Sequence, residues 1–345
     1  MVLLIHCLVV FVTVLGSGFS LAFPYRPDVD PGIGYGSKNL EHCVPSDERL
    51  CEKRFSKHGY ESAKRVTWYV PTQLEDGQKL PVVIYLHGYF SLVPEVYQSH
   101  INHLTRQGYI VIFPQFQGGL WKLITEAGIF EEVVQQDWLN NAVNAVDYVF
   151  AELGDLVDRD RVYGYGHSMG GAMLLGWEAS GGASLRGMVL ANAQTNPADG
   201  MPKFVRRLVQ VRPLSWSQQA RVINGNVMVL TGADDFLAMP HTARQIARSL
   251  VFASHVSVYE LQTDRHGSEP LVADHMAAAT NGSVPKIFSG LAKKIGGRIE
   301  LNPYDHRFYY AALDAMIRDE LDPDFDVGSW SDGKPVKKVK IVEFD

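Results

Sequence analysis

Arg161-Val-Tyr-Gly-Tyr-Gly-His-Ser-Met-Gly-Gly171 is the stretch from which the fold is read. Val162, Tyr163 and Tyr165 are β-branched or aromatic and favour a buried strand. Gly171-Ala-Met-Leu-Leu175 favours a helix packed closely on its surroundings. Between them stands Gly166-His-Ser-Met-Gly170, a G-x-S-x-G pattern in a strand–turn–helix context. A turn this sharp leaves no room for side chains two places before and after the serine, which Gly166 and Gly170 satisfy. It lifts the Ser168 hydroxyl above the sheet, at the start of a helix whose dipole favours negative charge. The Met169 N–H is then placed to bind a developing oxyanion. His167 is expected to support the turn rather than act as a base.

Apolar runs of strand length flank this centre on both sides. Pro81-Val-Val-Ile-Tyr-Leu86 and Tyr109-Ile-Val-Ile-Phe113 precede it, the second closed by Pro114. Gly187-Met-Val-Leu-Ala-Asn192, Asn226-Val-Met-Val-Leu-Thr231 and His255 to Leu261 follow it. Continuous rather than alternating hydrophobicity marks strands covered on both faces. Helical patterns lie between them, at 96–106, 132–153, 242–251 and 304–321. Lys64 to Val70 reads as an outer strand. The alternation predicts an α/β fold with a mostly parallel sheet of about eight strands and helices on both faces.

A serine needs a base, and the base needs an orienting carboxylate. In this architecture they follow in the order serine, acid, histidine, on loops at strand ends. Gly232-Ala-Asp-Asp235 offers Asp235, with Asp234 as the alternative. Gln262-Thr-Asp-Arg-His266 offers His266, with His275 in Ala273-Asp-His275 as the alternative. His266 is favoured because it stands directly behind its strand and before a glycine. A second oxyanion donor is expected from the backbone after His87-Gly88, at Tyr89 or next at Phe90. Phe90, Trp121, Met169 and Phe236 either wall a pocket or serve ordinary packing.

These residues resemble the α/β-hydrolase superfamily from about Lys64 to Leu321. Leu86-His-Gly-Tyr89 and Gln107-Gly-Tyr-Ile-Val-Ile-Phe-Pro-Gln115 are similar to chlorophyllase and dienelactone-hydrolase-like esterases. The elbow also resembles cutinase-like polyester hydrolases and platelet-activating-factor acetylhydrolases. Met169 stands where chlorophyllases usually carry a basic residue, and polyester hydrolases usually lack the His87-Gly88 pair. The resemblance implies a serine esterase acting through an acyl-enzyme on a small-molecule or lipid ester. A lipase or phospholipid acetylhydrolase is the near alternative, and a non-catalytic hydrolase-fold binding protein the distant one.

Composition agrees with this reading. The 345 residues are 46% hydrophobic and include 16 Phe, 15 Tyr and 6 Trp, enough for a large core. A net charge of -6 gives no electrostatic footprint for nucleic acid. Gly164-x-Gly166-x-x-x-Gly170 places its third glycine one residue late for a dinucleotide fingerprint. His100-x-x-His103 lacks the partners of a zinc site, and Asp322-x-Asp324-x-Asp326 lacks the glycine and glutamate of a calcium loop. No cofactor or metal is expected.

Residues 1–22 lack Asp, Glu, Lys and Arg, and Ser20-Leu-Ala22 supplies small residues at a cleavage site. This predicts a secretory signal peptide, with an uncleaved membrane anchor as the alternative. Residues 23–63 then form an N-terminal arm. Cleavage removes Cys7 and leaves Cys43 and Cys51, expected to form one disulfide in an oxidising compartment. Asn281-Gly-Ser283 is a glycosylation sequon. The catalytic domain is placed at 64–321 and a polar extension at 322–345, with no membrane span after the leader.

Overall fold

A computed structural model of the protein describes residues 24–27, 52–55, 65–71, 74–89, 91–117, 132–196, 210–279, 297 and 299–344. The signal peptide, Cys7, Cys43, Cys51, Phe90, Trp121 and Asn281 lie outside the described residues.

Among the described residues, a nine-stranded sheet forms the centre. Its strands are β1 (Glu52–Phe55), β2 (Arg65–Tyr69), β3 (Leu80–Leu86), β4 (Ile110–Gln115), β6 (Val157–His167), β7 (Gly187–Ala191), β9 (Asn226–Gly232), β10 (His255–Leu261) and β11 (Lys340–Ile341). They lie in the order β1-β2-β4-β3-β6-β7-β9-β10-β11. From β4 to β10 every neighbouring pair is parallel. The outer pairs β1–β2, β2–β4 and β10–β11 are antiparallel. Glu132–Val134 (β5) and Gln210–Arg212 (β8) form a separate two-stranded parallel ladder.

Side chains alternate across the central strands, as the period of two requires. Val82, Ile84 and Leu86 of β3 join one apolar layer, together with Leu139, Val146 and Val149 of helix α2 (Gln135–Leu153). Helices α3 (Met169–Leu175) and α4 (Pro240–Ser249) pack on the same side through Met173 and Ile246. Val83 and Tyr85 of β3 join the opposite layer, with Ile101 and Leu104 of helix α1 (Gln98–Arg106). A π-helical turn at Asp305–Tyr310 runs into helix α5 (Ala311–Ile317) and completes that layer. Coverage on both faces explains why these strands read as unbroken apolar runs.

The mostly parallel sheet with helices on both faces agrees with the expected architecture, with β1 and the two-residue β11 pairing onto its edges. Two details differ from the sequence expectation. Strand β4 runs through Pro114, which pairs with Val66. A proline is tolerated there near the strand's end, where the lost N–H costs one ladder bond. Residues 304–321 do not form one α-helix, since a π-turn opens the segment and α5 is only seven residues long.

Among the described residues, no helix is long and apolar enough to cross a membrane. Leu190 is fully buried in the middle of the sheet, whereas Ile341 on β11 is exposed. Leu190→Ala is therefore expected to lower unfolding free energy by about 2–5 kcal/mol, and Ile341→Ala by under about 0.5 kcal/mol. Urea unfolding followed by tryptophan fluorescence measures both.

Candidate active site

The site is assembled at the C-terminal ends of β3, β6, β7, β9 and β10. Strand β6 ends at His167, and Ser168 takes φ 55° and ψ -120° before α3 begins. This is a strained conformation for a residue with a Cβ. Its backbone holds it: Ser168 N–H donates to the Ala191 carbonyl at 2.9 Å, and the Ser168 carbonyl accepts from Gly171 and Gln194, each at 3.0 Å. A Cβ at Gly166 would lie 2.5 Å from the Gly170 carbonyl oxygen, and one at Gly170 would collide with the Leu86 and His87 carbonyls. The glycines of the motif therefore allow α3 to start directly against the end of β3.

Ser168 Oγ–H donates to His275 Nε2 at 2.8 Å, and His275 Nδ1–H donates to Asp235 Oδ2 at 2.8 Å. All three are buried, at 3%, 4% and 2% exposure. Asp235 Oδ1 accepts the backbone N–H groups of Leu237 (2.9 Å) and Ala238 (2.8 Å). Burial pushes the Asp235 carboxyl up. The adjacent His275 and the hydrogen bonds from its ring and the two amides outweigh that and hold it below the usual carboxylate range. A buried carboxylate saturated this way stays charged and fixes the tautomer of the imidazole facing it.

Asp235 is thus the acid that meets a histidine, while Asp234 points outward into an ion pair with Arg265 at 2.8 Å. The favoured histidine needs correction. His266 is not in the array: its Nε2 bonds Asp332 at 2.7 Å, and its ring lies edge-on to Trp330. The reason lies in the loop after β10. Asp264 and Leu271 pair with each other in both directions at 2.8 Å, pinching off a turn that carries His266 toward the C-terminal segment. Beyond the turn the chain returns to β9, where Asp234 N–H donates to the Ala273 carbonyl at 3.0 Å. That contact delivers His275, two residues later, to Asp235.

The remaining sequence candidates take different positions. Met169 N–H belongs to the first residue of α3, a position whose amide the helix itself does not bond. The Met169 side chain is buried in the core and is not a free pocket wall. Tyr89 is half-buried against Trp138, with ring centroids 5.8 Å apart. Phe236, beside Asp235, is 57% exposed and stands on the surface.

Sequence reasoning missed a set of supporting polar groups. Asn192, directly after β7, adopts φ 48°. Its Nδ2 donates to the Asp274 and His275 carbonyls, both at 3.1 Å, and lies 3.2 Å from the Tyr309 hydroxyl. Asparagine after a strand and before a turn tolerates this backbone, which was a readable signal. His167 does more than support the turn, because its Nε2 lies 2.9 Å from the His275 carbonyl oxygen. Its Nδ1 lies 2.8 Å from the Tyr97 hydroxyl. His87 is fully buried and stacked on Phe116 at 4.0 Å, with its Nδ1 bonded to the Gly88 carbonyl at 2.8 Å.

The family model for chlorophyllase matches residues 52–231, just over half of the chain. The chain belongs to the chlorophyllase family, within the α/β-hydrolase superfamily. No curated protein matches it. Among solved structures, acylaminoacyl peptidase from Pyrococcus horikoshii is 13% identical at a TM-score of 0.42, with 60% of this chain and 36% of that chain covered. The chain therefore spans only about a third of that peptidase. An esterase from Pyrococcus furiosus is 13% identical at 0.44, covering 71% of this chain and 89% of that one. A carboxylesterase from Lactobacillus plantarum is 11% identical at 0.46, covering 63% and 84%.

Burial lowers the pKa of His167 from 6.5 to about 3 and that of His87 to about 4. Both rings stay neutral in the folded protein while their unfolded counterparts protonate below about pH 6.5. The unfolded state then binds more protons, so stability falls as pH drops. Thermal melting followed by circular dichroism is expected to show Tm declining steadily from pH 6.5 to pH 4. A flat profile over that window would contradict these assignments.

Proposed function

We propose that the protein hydrolyses carboxylic esters through Ser168, His275 and Asp235. The observation that carries this reading is the continuous pair of 2.8 Å hydrogen bonds joining the three buried side chains. Ser168 Oγ attacks the ester carbonyl as His275 Nε2 takes its proton, and Asp235 stabilises the imidazolium. The carbonyl oxygen becomes an oxyanion held by the Met169 N–H and the Tyr89 N–H. Gly88 N–H donates to the Tyr97 hydroxyl at 3.0 Å, which leaves the oxyanion role in this turn to the next amide. The tetrahedral intermediate collapses, the ester C–O bond breaks, and His275 returns the proton to the departing alkoxide. Water, deprotonated by the same histidine, then cleaves the acyl-enzyme and restores Ser168.

The reading extends to a secreted protein with its leader removed, a Cys43–Cys51 disulfide and a glycosylated Asn281. N-terminal sequencing of the protein from conditioned medium, beginning at Phe23, supports secretion. Retention in a membrane pellet with residues 1–22 intact supports the anchor.

Hydrolysis of p-nitrophenyl esters from acetyl to palmitoyl tests the activity and its chain-length class. Ser168→Ala and His275→Ala are each expected to lower kcat/KM by about 10³-fold or more, and His266→Ala by less than about threefold. Loss of activity in His266→Ala with retention in His275→Ala would reverse the assignment. A parent protein that turns over none of the esters would favour the non-catalytic binding reading.

A further inference from the structure

One polar chain in the site has no part in the proton transfers proposed above, yet all its members are buried. It runs from Gly88, in the turn after β3, through Tyr97 and His167 to the backbone of His275. Its hydrogen directions are fixed by elimination. The His275 carbonyl, 2.9 Å from His167 Nε2, only accepts, so that nitrogen carries the hydrogen. His167 Nδ1 is then an acceptor, and the Tyr97 O–H, 2.8 Å away, donates to it. The Tyr97 oxygen in turn accepts the Gly88 N–H at 3.0 Å. The His167 tautomer cannot reverse without leaving two buried acceptors, its Nε2 and the His275 carbonyl oxygen, facing each other.

The placement gives the chain two effects at once. At one end it fixes the turn that leads into the Tyr89 amide. At the other it fixes the backbone of the residue whose ring receives the Ser168 proton. Asn192 Nδ2 donates to the same His275 carbonyl at 3.1 Å, so both lone pairs of that oxygen are engaged. The rings of His167 and His275 are 5.3 Å apart. A neutral His167 there adds no positive charge beside the imidazolium that forms on His275. A lysine or arginine in the same position would oppose it.

We propose that His167 and Tyr97 are positioning residues that lock the His275 loop and the turn after β3 into one register, with His167 held as the neutral Nε2–H tautomer. This rests on the ester-hydrolase reading for its kinetic consequences but not for its structural ones.

The test uses Tyr97→Phe, His167→Leu and His167→Gln, the last keeping an N–H within reach of the His275 carbonyl. In Tyr97→Phe and His167→Leu, kcat for p-nitrophenyl acetate is expected to fall about 10- to 100-fold with KM within about threefold, the cost of small misplacements at a reacting centre. His167→Gln is expected to recover most of the loss. Imidazole ¹⁵N–¹H NMR of the full chain gives a readout independent of turnover: the His275 Nδ1–H resonance should shift or broaden in both disruptive variants and return toward its parent position in His167→Gln. If His167→Leu does not fold, Tyr97→Phe and His167→Gln decide by the same two readings. Folded variants with parent kcat and an unmoved His275 resonance would overturn the proposal. A parent protein without esterase activity would instead sink the functional reading, and the NMR comparison would still decide this one.

Discussion

Everything at the site depends on how closely the start of α3 approaches the end of β3. Gly170 lies against the Leu86 and His87 carbonyls with no space for a side chain, and Gly166 lies against the Gly170 carbonyl. This contact forces the abrupt reversal after His167 and puts Ser168 at φ 55°. It also sets the turn after β3 beside Ser168 and the start of α3. A Cβ on Gly88 would already be 3.1 Å from His167 Nδ1 and 3.3 Å from Ser168 Cβ. The strain is local, and the hydrogen bonds that Ser168 exchanges with Ala191, Gly171 and Gln194 oppose its release.

Around that contact the polar groups are buried in matched sets. Asp235 could not remain ionised in the interior without its two backbone donors and His275. His275 is held at its ring by Asp235 and at its carbonyl by His167 and Asn192. Each supporting residue comes from a different strand end, so the sheet's parallel register brings them together. This is why an open α/β sheet serves such chemistry: its loops converge while the strands beneath stay rigid.

Much of this was legible in the sequence because the decisive signals are local. Unbroken apolar runs mark two-faced strands, and a serine between glycines at a strand–helix junction marks the elbow. Asp235 was legible from its place just past β9. His275 was not, because it depends on a non-local event. The Asp264–Leu271 pairing removes His266 and brings His275 back nine residues further on. Nearness in sequence to the strand end favoured His266, which lies outside the hydrogen-bonded array and bonds Asp332 instead. Strand β1 carries the polar sequence Glu-Lys-Arg-Phe, which has no pattern until β2 is there to pair with it. The roles of Tyr97 and His167 were hidden for the same reason. Tyr97 precedes α1 in an apolar neighbourhood where a tyrosine reads as packing, and only its hydroxyl's partners, Gly88 in the turn after β3 and His167 70 residues further on, reveal otherwise.

The central claim is that burial and hydrogen bonding make Ser168 nucleophilic through His275. Incubation with a fluorophosphonate, followed by peptide mapping by mass spectrometry, tests it most directly. The account predicts one adduct, on the peptide containing Ser168. That adduct should be absent in Ser168→Ala, strongly slowed in His275→Ala, and unchanged in His266→Ala. An adduct on another serine, or labelling of Ser168 at the parent rate in His275→Ala, would contradict it.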